Sequence, residues 1–330
     1  MRAMILAAGY GTRLWPLTVD RTKPAIPFLG RPLVGYVAEY LAAHNIREIA
    51  VNLHHRPQSV REALGDGSRF GVRLEYVEEP EILGTSGALD NARDFLAGDT
   101  FVVVNGKIVT DIDLGAAIGY HKRTGALATL VLRHNIARER FSIVNTENGI
   151  LTGFGGMPQP LASDNAGTIA DAPLMFTGIQ ILEPRVFDYI PRKIFSHSTT
   201  DVYPQAMAQG ERIAAYVAEG TWYELSTIER YLEISLAMMR KEGRDVELGE
   251  GSFISTDSVV SDSILWDKVT IEEGARVRRA VLGDGVRIRA GEVIENAAVV
   301  CQELVEGAEP PPKALRGEVL GDNFVVSLAQ

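Results

Sequence analysis

Cysteine is nearly absent. Cys301 is the only one in 330 residues, which excludes an internal disulfide framework and makes a cytoplasmic protein the expectation. A lone cysteine of this kind is expected to be a small buried hydrophobe. The apolar stretch Ala3–Ala8 runs at once into Gly9-Tyr10-Gly11, too short for a secretory leader. No apolar run reaches the roughly 20 residues that a membrane span needs, so no membrane partner is expected. Positive charge is in deficit as well. The net charge of −10 argues against nucleic acid as a partner. Two familiar phosphate-binding signatures are missing. No G-x-x-x-x-G-K-[ST] occurs, and Gly9-Tyr10-Gly11 lacks the third glycine of a dinucleotide fingerprint, with Leu14 in its place.

What is present is the composition of a folded protein of two domains, with 46% hydrophobic and 23% charged residues. The acidic chain has a basic start: Arg2, Arg13, Arg21, Lys23 and Arg31 stand against Asp20 alone in the first 31 residues. Clustering of that kind suggests a local anion site. Strand-like runs at Ala3–Ala7, Glu48–Leu53, Leu74–Val77 and Phe101–Val104 alternate with helical patterns at Leu33–Ala43, Ser59–Leu64, Ser86–Leu96 and Leu114–Arg123. The alternation predicts a largely parallel sheet covered by helices. Later strand candidates at Ala128–Leu132, Phe141–Val144, Met175–Leu182 and Ile213–Val217 are less regular, so a mixed sheet is expected. Ser226-Thr227-Ile228-Glu229 fits a capping box with Ser226 as the cap, opening a last helix that Gly243 ends.

Beyond Gly243 the pattern changes. Residues 263–279 repeat in 280–296 at an offset of 17, pairing Leu265 with Leu282, Asp267 with Asp284, Val269 with Val286, Ile271 with Ile288 and Gly274 with Gly291. Leu248, Gly249, Ile254 and Val260 form a weaker preceding copy. A short fixed period with regular aliphatics predicts a solenoid whose turns bury their apolar residues by stacking. Domains of 1–243 and 244–330 follow. A capping strand is expected in Val319–Leu328. Trp266 is either core or an exposed contact residue.

The strongest chemical signal is the run Leu6-Ala7-Ala8-Gly9-Tyr10-Gly11-Thr12-Arg13-Leu14-Trp15-Pro16-Leu17-Thr18, directly after the first strand. Its glycines let backbone N–H groups approach an anion. Arg13 can fork onto phosphate oxygens, and Lys23 adds a point charge.

Together with Thr22-Lys23-Pro24, this run resembles the signature loop of sugar-1-phosphate nucleotidyltransferases, in particular mannose-1-phosphate guanylyltransferases. The resemblance covers about residues 1–240. It implies a Rossmann-like mixed α/β nucleotidyltransferase domain followed by a short C-terminal left-handed β-helix. Leu6, Ala8, Gly9, Gly11, Thr12 and Arg13 are then expected to bind nucleotide, with Gly84 and Thr85 from the base-cradling segment Glu79–Leu89, and Asn105. The segment Val51–His55 resembles a strand end near the site, where His54 and His55 suit surface or supporting roles. Phe176-Thr177-Gly178-Ile179 resembles the strand that meets the sugar, with Gly178 giving backbone access. Phe176 stands where many relatives have Asn.

The family reaction is attack by a sugar-phosphate oxygen on the α-phosphorus of a nucleoside triphosphate, releasing pyrophosphate. The nucleophile is already ionised, so alignment and charge neutralisation carry the rate. Arg13, Lys23 and Lys107 are the catalytic candidates. The resemblance implies Mg²⁺ held by two carboxylates, yet this chain departs at both. Lys107 follows Asn105-Gly106 where relatives have Asp, and Glu224 lies where they commonly have Asp. Asp111 and Asp113 follow as further carboxylates, or as a loop and a helix cap. The usual Glu-Lys-Pro is matched by Gly155-Gly156-Met157-Pro158, which carries neither charge. Three readings result: a transferase in which Lys107 supplies charge, a nucleotide- or NDP-sugar-binding regulator without catalysis, and a structural Lys107 with catalysis through other ligands. The expected partners are a nucleoside triphosphate, GTP favoured, and a sugar 1-phosphate. The solenoid is expected to mediate a homo-oligomer or pairing with a paralogue. An acyltransferase role is set aside, since no histidine lies beyond His197.

Overall fold

The computed structural model describes residues 1–160, 169 and 171–328. They form two compact units, one of residues 1–8, 36–54 and 64–222, the other of 9–35, 55–63 and 223–328. Among the described residues no helix is long and apolar enough to cross a membrane.

The first unit is built on a nine-stranded mixed sheet. Its strands are β1 (Arg2–Leu6), β2 (Glu48–Leu53), β3 (Arg73–Glu78), β4 (Phe101–Asn105), β5 (Ala128–His134), β6 (Val144–Glu147), β7 (Ile150–Phe154), β8 (Leu174–Leu182) and β9 (Ile213–Val217). Their order is β3-β2-β1-β4-β8-β5-β9-β7-β6. β1, β2, β3 and β4 run parallel, and β8 reverses direction between β4 and β5. β1 and β4 are apolar and buried along nearly their whole length, as central strands covered on both faces must be. Helices α1 (Leu33–Ala43), α2 (Pro57–Leu64), α3 (Gly84–Asn91) and α4 (Leu114–Thr124) fall where the periodicity placed them, and α2 belongs almost wholly to the second unit. The pattern expected over Ser86–Leu96 breaks at Ala92 into α3 and a short turn, Arg93–Leu96. The strand expected at Phe141–Val144 begins only at Val144; Ile143 makes an isolated bridge to Met175.

In the second unit the repeat becomes a stack of parallel coils, in register at the offset of 17. Leu248, Leu265 and Leu282 align, as do Ile254, Ile271 and Ile288, and Val260, Val277 and Ile294. The inner members are buried and form one core. The repeated aspartates explain themselves in the same register. Asp267 accepts the Glu250 N–H at 2.8 Å, and Asp284 accepts the Asp267 N–H at 3.1 Å, each satisfying a backbone donor one coil away. The expected capping strand is a hairpin, Glu318–Leu320 and Asn323–Ser327, and the latter pairs antiparallel with Val293–Cys301. Trp266 is core, 4% exposed, with its indole N–H on the Tyr231 hydroxyl. Cys301 is half-buried rather than buried, and burial holds its thiol above the ordinary value.

Helix α5 (Ile228–Lys241) corrects the expected cap. Thr227, not Ser226, has the extended backbone of the cap position, and its hydroxyl accepts the Arg230 N–H at 3.2 Å. At the other end the Gly243 N–H reaches Arg240 O, and the Arg244 N–H reaches Met239 O, a Schellman-type stop.

Candidate active site

The C-terminal edge of the parallel strands collects the predicted residues of the first unit. Leu6 pairs with Asn52 on one side and with Asn105 on the other, so the ends of β1, β2 and β4 lie abreast. The Gly106 N–H closes this edge by donating to Leu6 O at 2.9 Å. In open α/β sheets this is the edge that receives ligands.

Beyond the last ladder pairs a polar chain continues the connection. The Ala7 N–H donates to Asn52 Oδ1 at 2.7 Å, and Asn52 Nδ2 donates to Glu79 Oε1 at 2.7 Å. Glu79 Oε2 accepts the Leu83 N–H at 3.0 Å, directly before α3. Burial pushes the Glu79 carboxyl above its ordinary range, although the donors from Asn52 and Leu83 oppose that shift. His54 takes a supporting place, its Nδ1 lying 2.8 Å from Glu79 O.

Gly84 and Thr85 open α3, which packs Ala88 and Leu89 into the core that includes Met4 of β1. Thr85 lies inside the first turn of α3. The helix begins one residue earlier, and the Thr85 hydroxyl accepts the Ser198 N–H at 2.9 Å. The Thr85 N–H points to His197 Nδ1 at 3.3 Å. Sequence reasoning assigned no role to His197 or to the Asn52–Glu79 pair. The polar Asn at the end of an otherwise apolar strand was the available signal.

Gly178 and Asn105 meet directly. Gly178 is buried at φ +81°, and a side chain there would overlap the Asn105 carboxamide. β8 slips register between Phe176 and Gln180 around this point. Thr177 donates to Val131 O and accepts the Trp222 indole N–H through its carbonyl. Lys107 is half-buried in the turn after β4. Both nearby aspartates are engaged in structure: Asp111 Oδ1 accepts the Thr221 N–H at 2.6 Å, and Asp113 caps α4 through the Ala116 N–H at 2.9 Å.

The second unit carries the rest. Gly9 is exposed, and Gly11 sits at φ +66° with Lys23 so close that a Cβ at Gly11 would lie 3.0 Å from the Lys23 Cβ. A side chain there would be strained by the left-handed backbone and would press on Lys23, so glycine suits the position. Thr12, Arg13 and Leu14 form one 3₁₀ turn, with Arg13 exposed and Lys23 buried. The turn is anchored by Leu14 N–H to Gly11 O at 2.9 Å and by the Thr18 hydroxyl to the same oxygen at 3.3 Å. Glu224 is buried, and its carbonyl accepts Arg230 Nε at 3.1 Å.

The carboxylates do not fit the Mg²⁺ site that the resemblance implies. A lysine stands at 107, and Asp111 and Asp113 are committed to backbone N–H groups. Among the described residues no group of three His, Cys, Asp or Glu side chains could hold a metal.

Comparison with known proteins gives two family matches. Residues 2–241 match the nucleotidyl transferase family, and residues 240–300 match the GlmU-like C-terminal hexapeptide. A UTP–glucose-1-phosphate uridylyltransferase of Synechocystis sp. is 30% identical over 322 residues, spanning 92% of this chain and 81% of that protein. A mannose-1-phosphate guanylyltransferase of Mycobacterium tuberculosis is 29% identical, spanning 89% of this chain and 82% of that protein. Among solved structures, a putative glucose-1-phosphate thymidylyltransferase of Bacillus anthracis superposes with a TM-score of 0.60 at 25% identity, covering 73% of this chain and 95% of that one.

Proposed function

The chain belongs to the nucleotidyl transferase family, and from that premise we propose that it transfers a nucleotidyl group from a nucleoside triphosphate to a sugar 1-phosphate, releasing pyrophosphate. The observation that carries the reading is the edge where Leu6 and Asn105 lie in register, with Gly178 leaving room for the Asn105 carboxamide. Leu6, Ala8, Gly84, Thr85 and Asn105 bind the nucleotide in this proposal, and Gly178 admits the sugar. Gly9, Gly11 and Thr12 present backbone N–H groups to phosphate. Arg13, Lys23 and Lys107 supply positive charge as the pyrophosphate leaves. The attacking phosphate oxygen needs no base, so alignment is the main contribution. Glu224 is the one carboxylate retained as a metal-ligand candidate, and no step is routed through it.

Guanine and mannose are the favoured base and sugar. The support is the naming of the Mycobacterium tuberculosis relative, set against uridylyl transfer by the Synechocystis relative. A second reading is a binding protein that regulates an active paralogue in the cytoplasm through the β-helix. Lys107, in place of an acid, favours it. The experiment is pyrophosphate release by purified protein, with each nucleoside triphosphate against a panel of sugar 1-phosphates, with and without Mg²⁺. Selective turnover supports the transferase and names its substrates. Nucleotide binding without turnover replaces it with the regulatory reading.

A further inference from the structure

The ladder pairing of β1, β2 and β3 ends at Leu6 with Asn52 and at Leu53 with Glu78. The next residues, Ala7 and Glu79, are where the chain leaves the sheet toward the two segments assigned to the nucleotide. We propose that Asn52 and Glu79 are positioning residues that lock the end of β1 to the start of α3, fixing the nucleotide-binding geometry of both segments. The inference rests on the transferase reading above.

The chemistry of the pair supports this. Asn52 and Glu79 are each 3% exposed, and a carboxylate buried that deeply is costly unless its oxygens are satisfied. Here each oxygen has its own donor, Oε1 from Asn52 and Oε2 from the Leu83 N–H. A neutral amide or hydroxyl at 79 cannot accept from both in the same way. Asn52 is held in one orientation for the same reason. Its oxygen faces an N–H and its nitrogen faces a carboxylate, so a flipped amide would oppose like groups at both ends. Three hydrogen bonds thus join Ala7 to Leu83 with no alternative arrangement. A displacement of about 1 Å at such a site can cost about a hundredfold in rate.

The test uses Asn52→Asp, Glu79→Gln and the double variant N52D/E79Q in the full chain. Asn52→Asp sets two carboxylates against each other. Glu79→Gln turns an amide N–H toward a donor. In the double variant the new carboxylate accepts from Ala7 and from the new amide, whose oxygen accepts from Leu83. All three bonds return, the middle one reversed, at unchanged net charge. The readouts are Kd and KM for the triphosphate that the unsubstituted protein uses, kcat, and hydrogen exchange at the Ala7 and Leu83 amides. Each single variant is expected to raise Kd and KM by about tenfold or more and to speed exchange at both amides. The double variant is expected to return within about threefold of the unsubstituted protein. Single variants that leave Kd and KM unchanged, or a folded double variant as impaired as the singles, overturn the proposal. If a single variant does not fold, the double decides: folded and binding supports the lock, unfolded or non-binding overturns it. An unsubstituted protein that neither binds nor turns over any triphosphate overturns the transferase reading and this inference with it. Turnover by that protein with indifferent single variants overturns this inference alone.

Discussion

Arg21 and Asp284, 263 positions apart, form an ion pair of 2.5 Å from Nη2 to Oδ2. The same guanidinium forks onto Asp20 at 2.8 and 2.9 Å and lies over the Trp266 ring, 5.1 Å from its centroid. The segment that follows the glycine-rich loop is therefore fastened to the solenoid by charge at Asp284 and a cation–π contact at Trp266, while the fork onto neighbouring Asp20 fixes the guanidinium. Asp284 also accepts the Asp267 N–H, so its removal breaks two links. We expect Asp284→Ala to destabilise the protein by about 1–2 kcal/mol, and Asp284→Asn, which keeps the acceptor, by about half as much. Urea unfolding at low and high salt measures both. Equal losses would show that the ion pair contributes and the Asp267 link does not.

Acid sensitivity follows from the same cluster. Burial alone would raise the Asp20 carboxyl, but the hydrogen bonds and charge of Arg21, with a smaller contribution from the charge of Arg56, outweigh it and hold it below its ordinary value. A lowered folded value means stability that is fully present above about pH 4 and is lost as pH falls through the folded value. Unfolding midpoints between pH 5 and 2.5 should therefore fall less steeply in Arg21→Ala than in the unsubstituted protein.

Helix α5 distinguishes two neighbouring hydroxyls. Thr227→Ala is expected to cost about 1 kcal/mol through the lost acceptor for the Arg230 N–H. Thr227→Ser should retain most of that, because the oxygen rather than the methyl makes the bond. Chemical denaturation of the two variants decides it, and an equal loss in both would remove the cap from the account.

Much of the fold was legible because burial leaves a period in the sequence. The offset of 17 is the coil register itself, and β1, β2 and β4 read as apolar runs because consecutive residues, and so both faces, are buried. The cap at α5 was misplaced by one residue, since Ser226 and Thr227 offer the same chemistry and only the backbone of Thr227 is extended. The glycine-rich loop was legible as a motif. The Asn52–Glu79 chain and the seat of Thr85 against His197 were not. Each joins residues 27 to 112 positions apart through single hydrogen bonds, which leave no periodic trace.

His121 gives the protein a second pH limb. It is 1% exposed, with Nδ1 2.8 Å from the Thr129 hydroxyl and Nε2 2.9 Å from a Glu183 oxygen. Burial lowers its pKa, and the Glu183 carboxylate only partly restores it. The unfolded chain therefore binds this proton more readily than the folded one. The associated stability is present above about pH 6.5 and falls away as pH drops toward the folded value. His121→Gln should flatten the dependence of the urea midpoint between pH 7.5 and 5, while lowering stability throughout that range.

Gly178 and Asn105 make the most direct claim about the site. An alanine at 178 is opposed twice, by a backbone φ of +81° and by overlap with the Asn105 carboxamide. We expect Gly178→Ala to cost about 2–4 kcal/mol, the sum of a left-handed non-glycine residue and an overpacked contact. Removing the carboxamide should relieve the second part only. The double variant with Asn105→Ala is then less damaged than the two single losses added together, by about 1 kcal/mol or more. Urea unfolding of the four proteins measures this coupling. Additive losses would mean that the strain at 178 is backbone alone and that Gly178 does not make room for Asn105.

Lys107 separates the two functional readings most sharply. In the transferase reading its ammonium neutralises phosphate charge, so Lys107→Ala should lower kcat/KM by about tenfold or more with little change in stability, because the residue lies in a turn after β4 and only half-buried. Lys107→Asp should do worse without added Mg²⁺ and recover as Mg²⁺ is raised, since a carboxylate after Asn105-Gly106 supplies a metal ligand in place of a fixed cation. Pyrophosphate release across a Mg²⁺ titration measures all three proteins. In the regulatory reading the unsubstituted protein is silent, and Lys107→Asp either gains turnover or changes only nucleotide affinity. A Lys107→Asp protein with unaltered turnover, unaltered Mg²⁺ response and unaltered nucleotide affinity removes Lys107 from the site under both readings.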